Sequence, residues 1–184
     1  MCCAFREIST TIEGIVMRSP WERVVLIPRS RAPLLPWFIG ALTLGFDQLS
    51  KWAIVRSFEP GASLPLLPPW LSLTYVQNTG AAFGLFKGQQ TLFIVLSVCV
   101  IVWVGRQFTI PDAVGGAVRW AFALVVGGAS GNLIDRVRLG YVIDFLDLHW
   151  WPVFNIGDSA ITVGVAILIL HSLLRSRGPV TSDK

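Results

Sequence analysis

The chain has 184 residues, 53% of them hydrophobic and 14% charged, with a mean hydropathy of +0.63, whereas soluble domains carry about 25% charged residues. Such a balance excludes an ordinary water-soluble globule, and the length leaves room for four membrane-crossing helices of about 20 residues but not for a separate catalytic domain. The formal charge of +4 would suggest nucleic acid in a soluble protein; in a membrane protein the place of each charge matters more than the sum, and no nucleic-acid partner is expected.

Residues 1–32 contain no uninterrupted apolar core, the longest candidate being 24–27 with charges close on either side, so they read as a cytoplasmic tail and not as a signal peptide. Met17 offers a second start within that tail, and Cys2 and Cys3 read as plain thiols, acylation being the alternative. A membrane domain is predicted over 33–175, with spans near 34–54, 90–108, 113–133 and 158–174, and a cytoplasmic tail over 176–184. Between the first two spans, Pro60, Pro65, Pro68 and Pro69 surround the partly alternating run Leu71-Ser72-Leu73-Thr74-Tyr75-Val76, which predicts a short strand in an outer β element of about 56–89. The fold class is therefore an all-α polytopic membrane protein, four transmembrane helices with a small extracytoplasmic β element. Trp37, Trp70, Trp103, Trp120, Trp150 and Trp151 fall mostly near span ends, where an aromatic belt anchors helices at the interface.

Basic residues orient the spans, because Lys and Arg are retained on the cytoplasmic side. Arg6, Arg18, Arg23, Arg29 and Arg31 precede span one, Arg106 and Arg119 lie between spans two and three, and Arg175, Arg177 and Lys184 follow span four. Those ten place both termini in the cytoplasm and the loops at 56–89 and 137–157 outside. Cys2, Cys3 and Cys99 make no zinc spacing, and His149 and His171 are the only histidines, so neither a metal nor another cofactor is expected.

Ionisable groups near membrane depth cost several kcal/mol unless paired or beside water, which makes each a functional candidate. Asp47 and Lys51 are spaced i,i+4 with the acid first, a favourable pair on one helix face that reads as structural. Asp135 and Arg136 end span three, Asp144 stands among Val142, Ile143, Phe145 and Leu146, and Asp158 opens span four. Spans three and four run antiparallel, so Asp144 and Asp158 can meet. Two carboxyl groups held close share a proton and can hold a water between a base and an acid. That is the chemistry of an aspartic peptidase, and the chain offers no comparable alternative. For Asp158 a capping box with Asn155 is an equally good account. Asp147 lies nearer the tryptophan belt and reads as a solvated acid. Gly127-xxx-Gly131 has the small-xxx-small spacing of close helix packing, whereas Gly80-Ala81-Ala82-Phe83-Gly84 follows Asn78 in an outer loop, where small side chains let a substrate backbone approach and Asn78 can hydrogen-bond it.

Taken together, Asp47-Gln48-xx-Lys51, Asn78-Thr79-Gly80-Ala81-Ala82-Phe83-Gly84, Gly131-Asn132-xx-Asp135-Arg136, Val142-Ile143-Asp144-Phe145 and Phe154-Asn155-xx-Asp158-Ser159 resemble, in order and spacing, the bacterial lipoprotein signal peptidases (signal peptidase II). The resemblance covers about 37–175. It implies a four-helix inner-membrane aspartic endopeptidase that cleaves diacylglyceryl-modified prolipoproteins immediately before the lipidated cysteine, with its site at the periplasmic face. It further implies Asp144 and Asp158 as the catalytic pair, and Asn78, Gly80, Ala81, Asn132, Arg136 and Asn155 as substrate-groove positions. Asp47, Gln48, Lys51 and Asp135 match supporting positions, and 56–76 matches a β-cradle lying on the membrane. Prolipoprotein, membrane lipid and globomycin-type inhibitors are the implied partners, of a chain expected to act as a monomer. Two departures stand out: Gly157 replaces the usual Ala before the second Asp, which should loosen the helix start, and the N-terminal tail is longer than usual. The Gly-x-Gly-Asp hallmark of presenilin-like and prepilin-type peptidases is not met by Asn155-Ile156-Gly157-Asp158. A proton-coupled transporter using Asp47, Asp144 and Asp158 is the reading from another class; it predicts inverted halves and midplane acids, and the sequence has neither.

Overall fold

In the computed structural model, residues 34–80, 88–107 and 116–176 are described. The expected N-terminal tail, residues 177–184 of the C-terminal one, and Ala81 lie outside them. The described elements are α1 (Leu34–Ser57), β1 (Ser63–Leu67), β2 (Leu71–Asn78), α2 (Gln90–Gln107), α3 (Gly116–Leu139), β3 (Val142–Asp147) and α4 (Ile156–Ser176). Of the helices, α2, α3 and α4 are long and apolar enough to cross a membrane; α1, which carries Asp47, Gln48 and Lys51, is not in that set.

Small side chains decide which helix sits centrally. α3 is the most enclosed of the three apolar helices, and its glycines let neighbouring backbones approach, the usual means of packing where lipid removes the hydrophobic drive between helices. A Cβ on Gly127 would lie 2.6 Å from Gly40 O and 2.8 Å from Thr43 Cβ of α1, and one on Gly131 would collide with Asp47 Oδ2. The spacing 127-xxx-131 therefore packs α3 on α1. Gly128 faces the opposite way, where a Cβ would run into Gly157 O of α4. Below these contacts Val104, Val118, Phe122, Ala123 and Val125 form an apolar cluster, with Trp103 edge-on to Phe122 at 6.1 Å.

The strand expected at 71–76 is present as β2 and runs on to Asn78. It is the centre of an antiparallel sheet of order β1-β2-β3; β1 falls within the β element expected over 56–89, and β3 lies outside it. β1 is exposed throughout and contains Pro65, as an edge strand permits. β3 is buried over Val142–Phe145. The β2–β3 register slips between the pairs Leu73↔Leu146 and Val76↔Asp144, so Thr74 and Tyr75 oppose Phe145 alone in a bulge. Ile143 and Phe145 then pack with Ile54 and Tyr75 against the end of α1, while Asp144 between them lines a cavity. The small β element expected beside the helices is thus a three-stranded sheet, and it carries one of the two candidate acids. α3 also extends to Leu139, past the expected end at 133, because Asn132 and Asp135 find partners inside the protein.

Gly128→Ala should lower stability by about 1–3 kcal/mol, since the new methyl meets backbone that cannot yield; a detergent-solubilised variant melting with the parent would contradict that account of the α3–α4 crossing.

Candidate active site

Two buried networks meet at the sheet end of the bundle. In the first, Lys51 Nζ lies 2.8 Å from Asp47 Oδ2 and 2.8 Å from Asp135 Oδ2, and donates to Asn132 Oδ1 at 2.8 Å. Gln48 Nε2 donates to Gly131 O and to Asp135 Oδ1, at 3.2 and 3.1 Å. Asp135 Oδ2 also accepts from Ile143 N at 3.3 Å, which ties α3 to β3. Asp47 Oδ1 accepts from Gly157 N at 2.8 Å. Gly157, expected to loosen the start of α4, is instead held, and a Cβ there would sit 2.9 Å from Gly128 O. Asp47 and Lys51 are 0% and 1% exposed: the i,i+4 pair expected on one helix face is a sealed junction of α1, α3 and α4.

The second network surrounds Asp144 and Asp158. Asn78 Nδ2 donates to Asp144 Oδ2 at 2.8 Å and Asn155 Nδ2 to Asp144 Oδ1 at 2.6 Å. Asn132 Nδ2 donates to Asp158 Oδ1 at 2.7 Å and Asn155 N to Asp158 Oδ2 at 3.2 Å. Each of the four carboxyl oxygens thus accepts an N–H, leaving further lone pairs free for water or substrate. Asn155 Oδ1 accepts in return from Asp158 N at 2.9 Å, which completes a capping box across the first turn of α4. Asp158 therefore both caps its helix and lines one cavity with Asp144.

That cavity, about 320 Å³, is lined by both carboxyl groups with Asn78, Gly80, Phe93, Arg136, Val142 and the run Trp151–Phe154, among others. A second, about 240 Å³, adjoins it between α2, α3 and α4, and shares Arg136, Asp158 and Ile161. Of the expected groove residues, Asn78, Gly80 and Arg136 line the first and Asn132 the second. Asn155 is 0% exposed and joins the two acids. Asn78, expected to meet a substrate backbone, gives an amide N–H to Asp144 and accepts from Gly80 N at 2.9 Å. The sequence reading missed Phe93, over whose ring the Arg136 guanidinium sits at 5.0 Å. It also assigned Trp151 to the belt alone, although that side chain forms cavity wall. Asp147, read as a surface acid, accepts from Thr74 Oγ1 at 2.8 Å. His149 Nε2 lies 3.2 Å from Ser72 Oγ, but its Nδ1 is 3.6 Å from Asp147 Oδ1 and the serine is buried, so a serine nucleophile is not served there.

Burial pushes the Asp144 carboxyl up to about 7 and the Asp158 charge pushes the same way, opposed by the Asn78 and Asn155 hydrogen bonds and then by the charge of Lys51.

Residues 39–174 match the family described as Signal peptidase (SPase) II. The chain is 47% identical over 138 residues to a protein named lipoprotein signal peptidase from Moorella thermoacetica, covering 74% of this chain and 91% of that one. Similarity to another of that name from Syntrophotalea carbinolica is 47% over 142 residues, covering 72% and 86%. A solved bacterial membrane enzyme, determined by the in meso method at 2.3 Å, superposes with a TM-score of 0.74 at 32% identity, covering 82% of this chain and 93% of its own.

Asp144 should titrate near pH 7 by carboxyl infrared difference spectroscopy, and Asp158→Asn should lower its midpoint by removing a repelling charge without restoring an ordinary aspartate value, because burial is the larger cause; a midpoint near 4 in the parent protein would refute this electrostatic picture.

Proposed function

The chain belongs to the signal peptidase II family, and on that premise we propose that it is a four-span aspartic endopeptidase of the bacterial inner membrane, cutting diacylglyceryl-modified prolipoproteins immediately before the lipidated cysteine. The observation that carries this reading is the convergence of Asp144 and Asp158 on one cavity, joined by Asn155 and with an N–H directed at every carboxyl oxygen. Such a pair holds one proton, because two adjacent anions repel in a dry site. The ionised member takes a proton from a water as its oxygen bonds to the scissile carbonyl carbon. The protonated member hydrogen-bonds the developing oxyanion. Collapse of the tetrahedral adduct breaks the C–N bond, a proton passes to the leaving α-amine of the cysteine, and the signal peptide departs with a carboxylate.

Arg136, its guanidinium steadied over Phe93, lines the same cavity and is suited to bind substrate carbonyls. Asn78, Asn132 and Asn155 keep the carboxyl groups in place, since a misplacement of 1 Å can cost about 10²-fold in rate. The second cavity is continuous with helix surface that presents exposed Leu96 and Val100, as a substrate anchored by acyl chains requires. Ten basic residues before span one, between spans two and three and after span four support cytoplasmic termini, with the site at the outer face where prolipoprotein arrives.

Purified Asp144→Asn and Asp158→Asn should each lose about 10²–10⁴-fold in cleavage of a diacylglyceryl prolipoprotein, followed as a gel shift, with folding retained; full activity in either removes that residue from the reaction. The rate should also fall as pH rises through about 7: a raised value means Asp144 keeps its proton below that point, and above it Asp144 is an anion with no proton to offer the oxyanion. A rate still climbing well above pH 8 would exclude the shared-proton mechanism.

A further inference from the structure

Lys51 touches neither acid of the pair, yet its bonding decides which way a neighbouring amide points. An ammonium has three N–H groups and no acceptor. Asp47 Oδ2, Asp135 Oδ2 and Asn132 Oδ1, each at 2.8 Å, take all three. Whatever faces Lys51 must therefore be an oxygen, so the Asn132 amide cannot turn over without setting an N–H against an ammonium. Its nitrogen is left facing Asp158 Oδ1 at 2.7 Å. Asn155 Nδ2 also reaches Asn132 Oδ1, at 3.0 Å, but its two hydrogens are divided among that oxygen, Ile143 O and Asp144 Oδ1. Turned over, Asn132 would present oxygen to a carboxylate, and Asp158 would lose its only side-chain donor among the described residues.

We propose that Lys51 is a positioning residue for the reaction: by claiming the oxygen of Asn132 it compels the amide nitrogen to hold Asp158 at the cavity. The role rests on the catalytic reading of Asp144 and Asp158 and adds to it a lever on α1, which contributes no residue to either cavity described above.

Lys51→Met alone would strand two buried carboxylates, so the test uses the charge-conserving pair Lys51→Met with Asp47→Asn. Asp135 then keeps Gln48 Nε2 and Ile143 N as donors, and an amide oxygen at position 47 can still accept from Gly157 N. Expected is a folded protein melting within about 5 °C of the parent, with kcat for prolipoprotein cleavage lower on the order of 10²-fold and KM unchanged. In an Asn132→Ala background the same two changes should cost nothing further, because Lys51 acts through Asn132. Parental kcat in the folded double variant overturns the proposal, as does an equal loss in both backgrounds. Should the double variant not fold, Asn132→Asp decides: it keeps an oxygen for Lys51 and removes the N–H from Asp158, so parental kcat in that variant also overturns it. Cleavage retained by Asp158→Asn would defeat the catalytic reading itself, whereas an inactive Asp158→Asn beside a fully active Lys51 double variant defeats only the role given to Lys51.

Discussion

Removing an ammonium from water costs several kcal/mol even after the protein relaxes, and the cost is recovered only where geometry and hydrogen bonding are both good. Lys51 is 1% exposed, and everything at the sheet end of the bundle is arranged around that demand. Its partners come from its own helix and from two positions on α3. Those partners reach onward: Asp135 to the backbone of β3, Asp47 to the first turn of α4, and Asn132 to Asp158. One charge thus fixes three helices and a strand relative to each other, and a buried ion pair that adds little net stability has a clear value as a determinant of geometry.

Glycine makes this junction possible. Asp47 occupies the space where a side chain at position 131 would be, and the backbones of Gly128 and Gly157 approach too closely for a Cβ on either. Small residues at helix crossings are usually ascribed to packing alone. Here the same close approach lets a short aspartate on α1 reach the amide that begins α4, one residue before Asp158.

Structural and functional accounts of a residue need not compete. Asp158 caps its own helix through Asn155, and Asn155 reaches Asp144 with the same side chain. A capping box that would otherwise only tidy a helix terminus becomes the frame in which two carboxyl groups face one cavity. The proposed two-aspartate site thus rests on an ordinary helix start whose partner asparagine has been buried.

Hydropathy runs place the four long helices, partial alternation places the strand at 71–76, and charges near membrane depth single out Asp47, Lys51, Asp135, Asp144 and Asp158 before the fold is known, because few alternatives are open to them. That Asp144 sits on a strand beside a bulge, that Asn78 and Asn155 both donate to its carboxyl group, that Trp151 and Phe93 line the cavity, and that Lys51 reaches Asn132 emerge only with the chain folded. Asn78 meets Asp144 across 66 positions and Lys51 meets Asn132 across 81, and β1 and β3 lack a clean alternating pattern: one is exposed throughout and the other is buried over its first four residues. Local periodicity registers which face of an element is apolar; it does not register which buried N–H finds which oxygen.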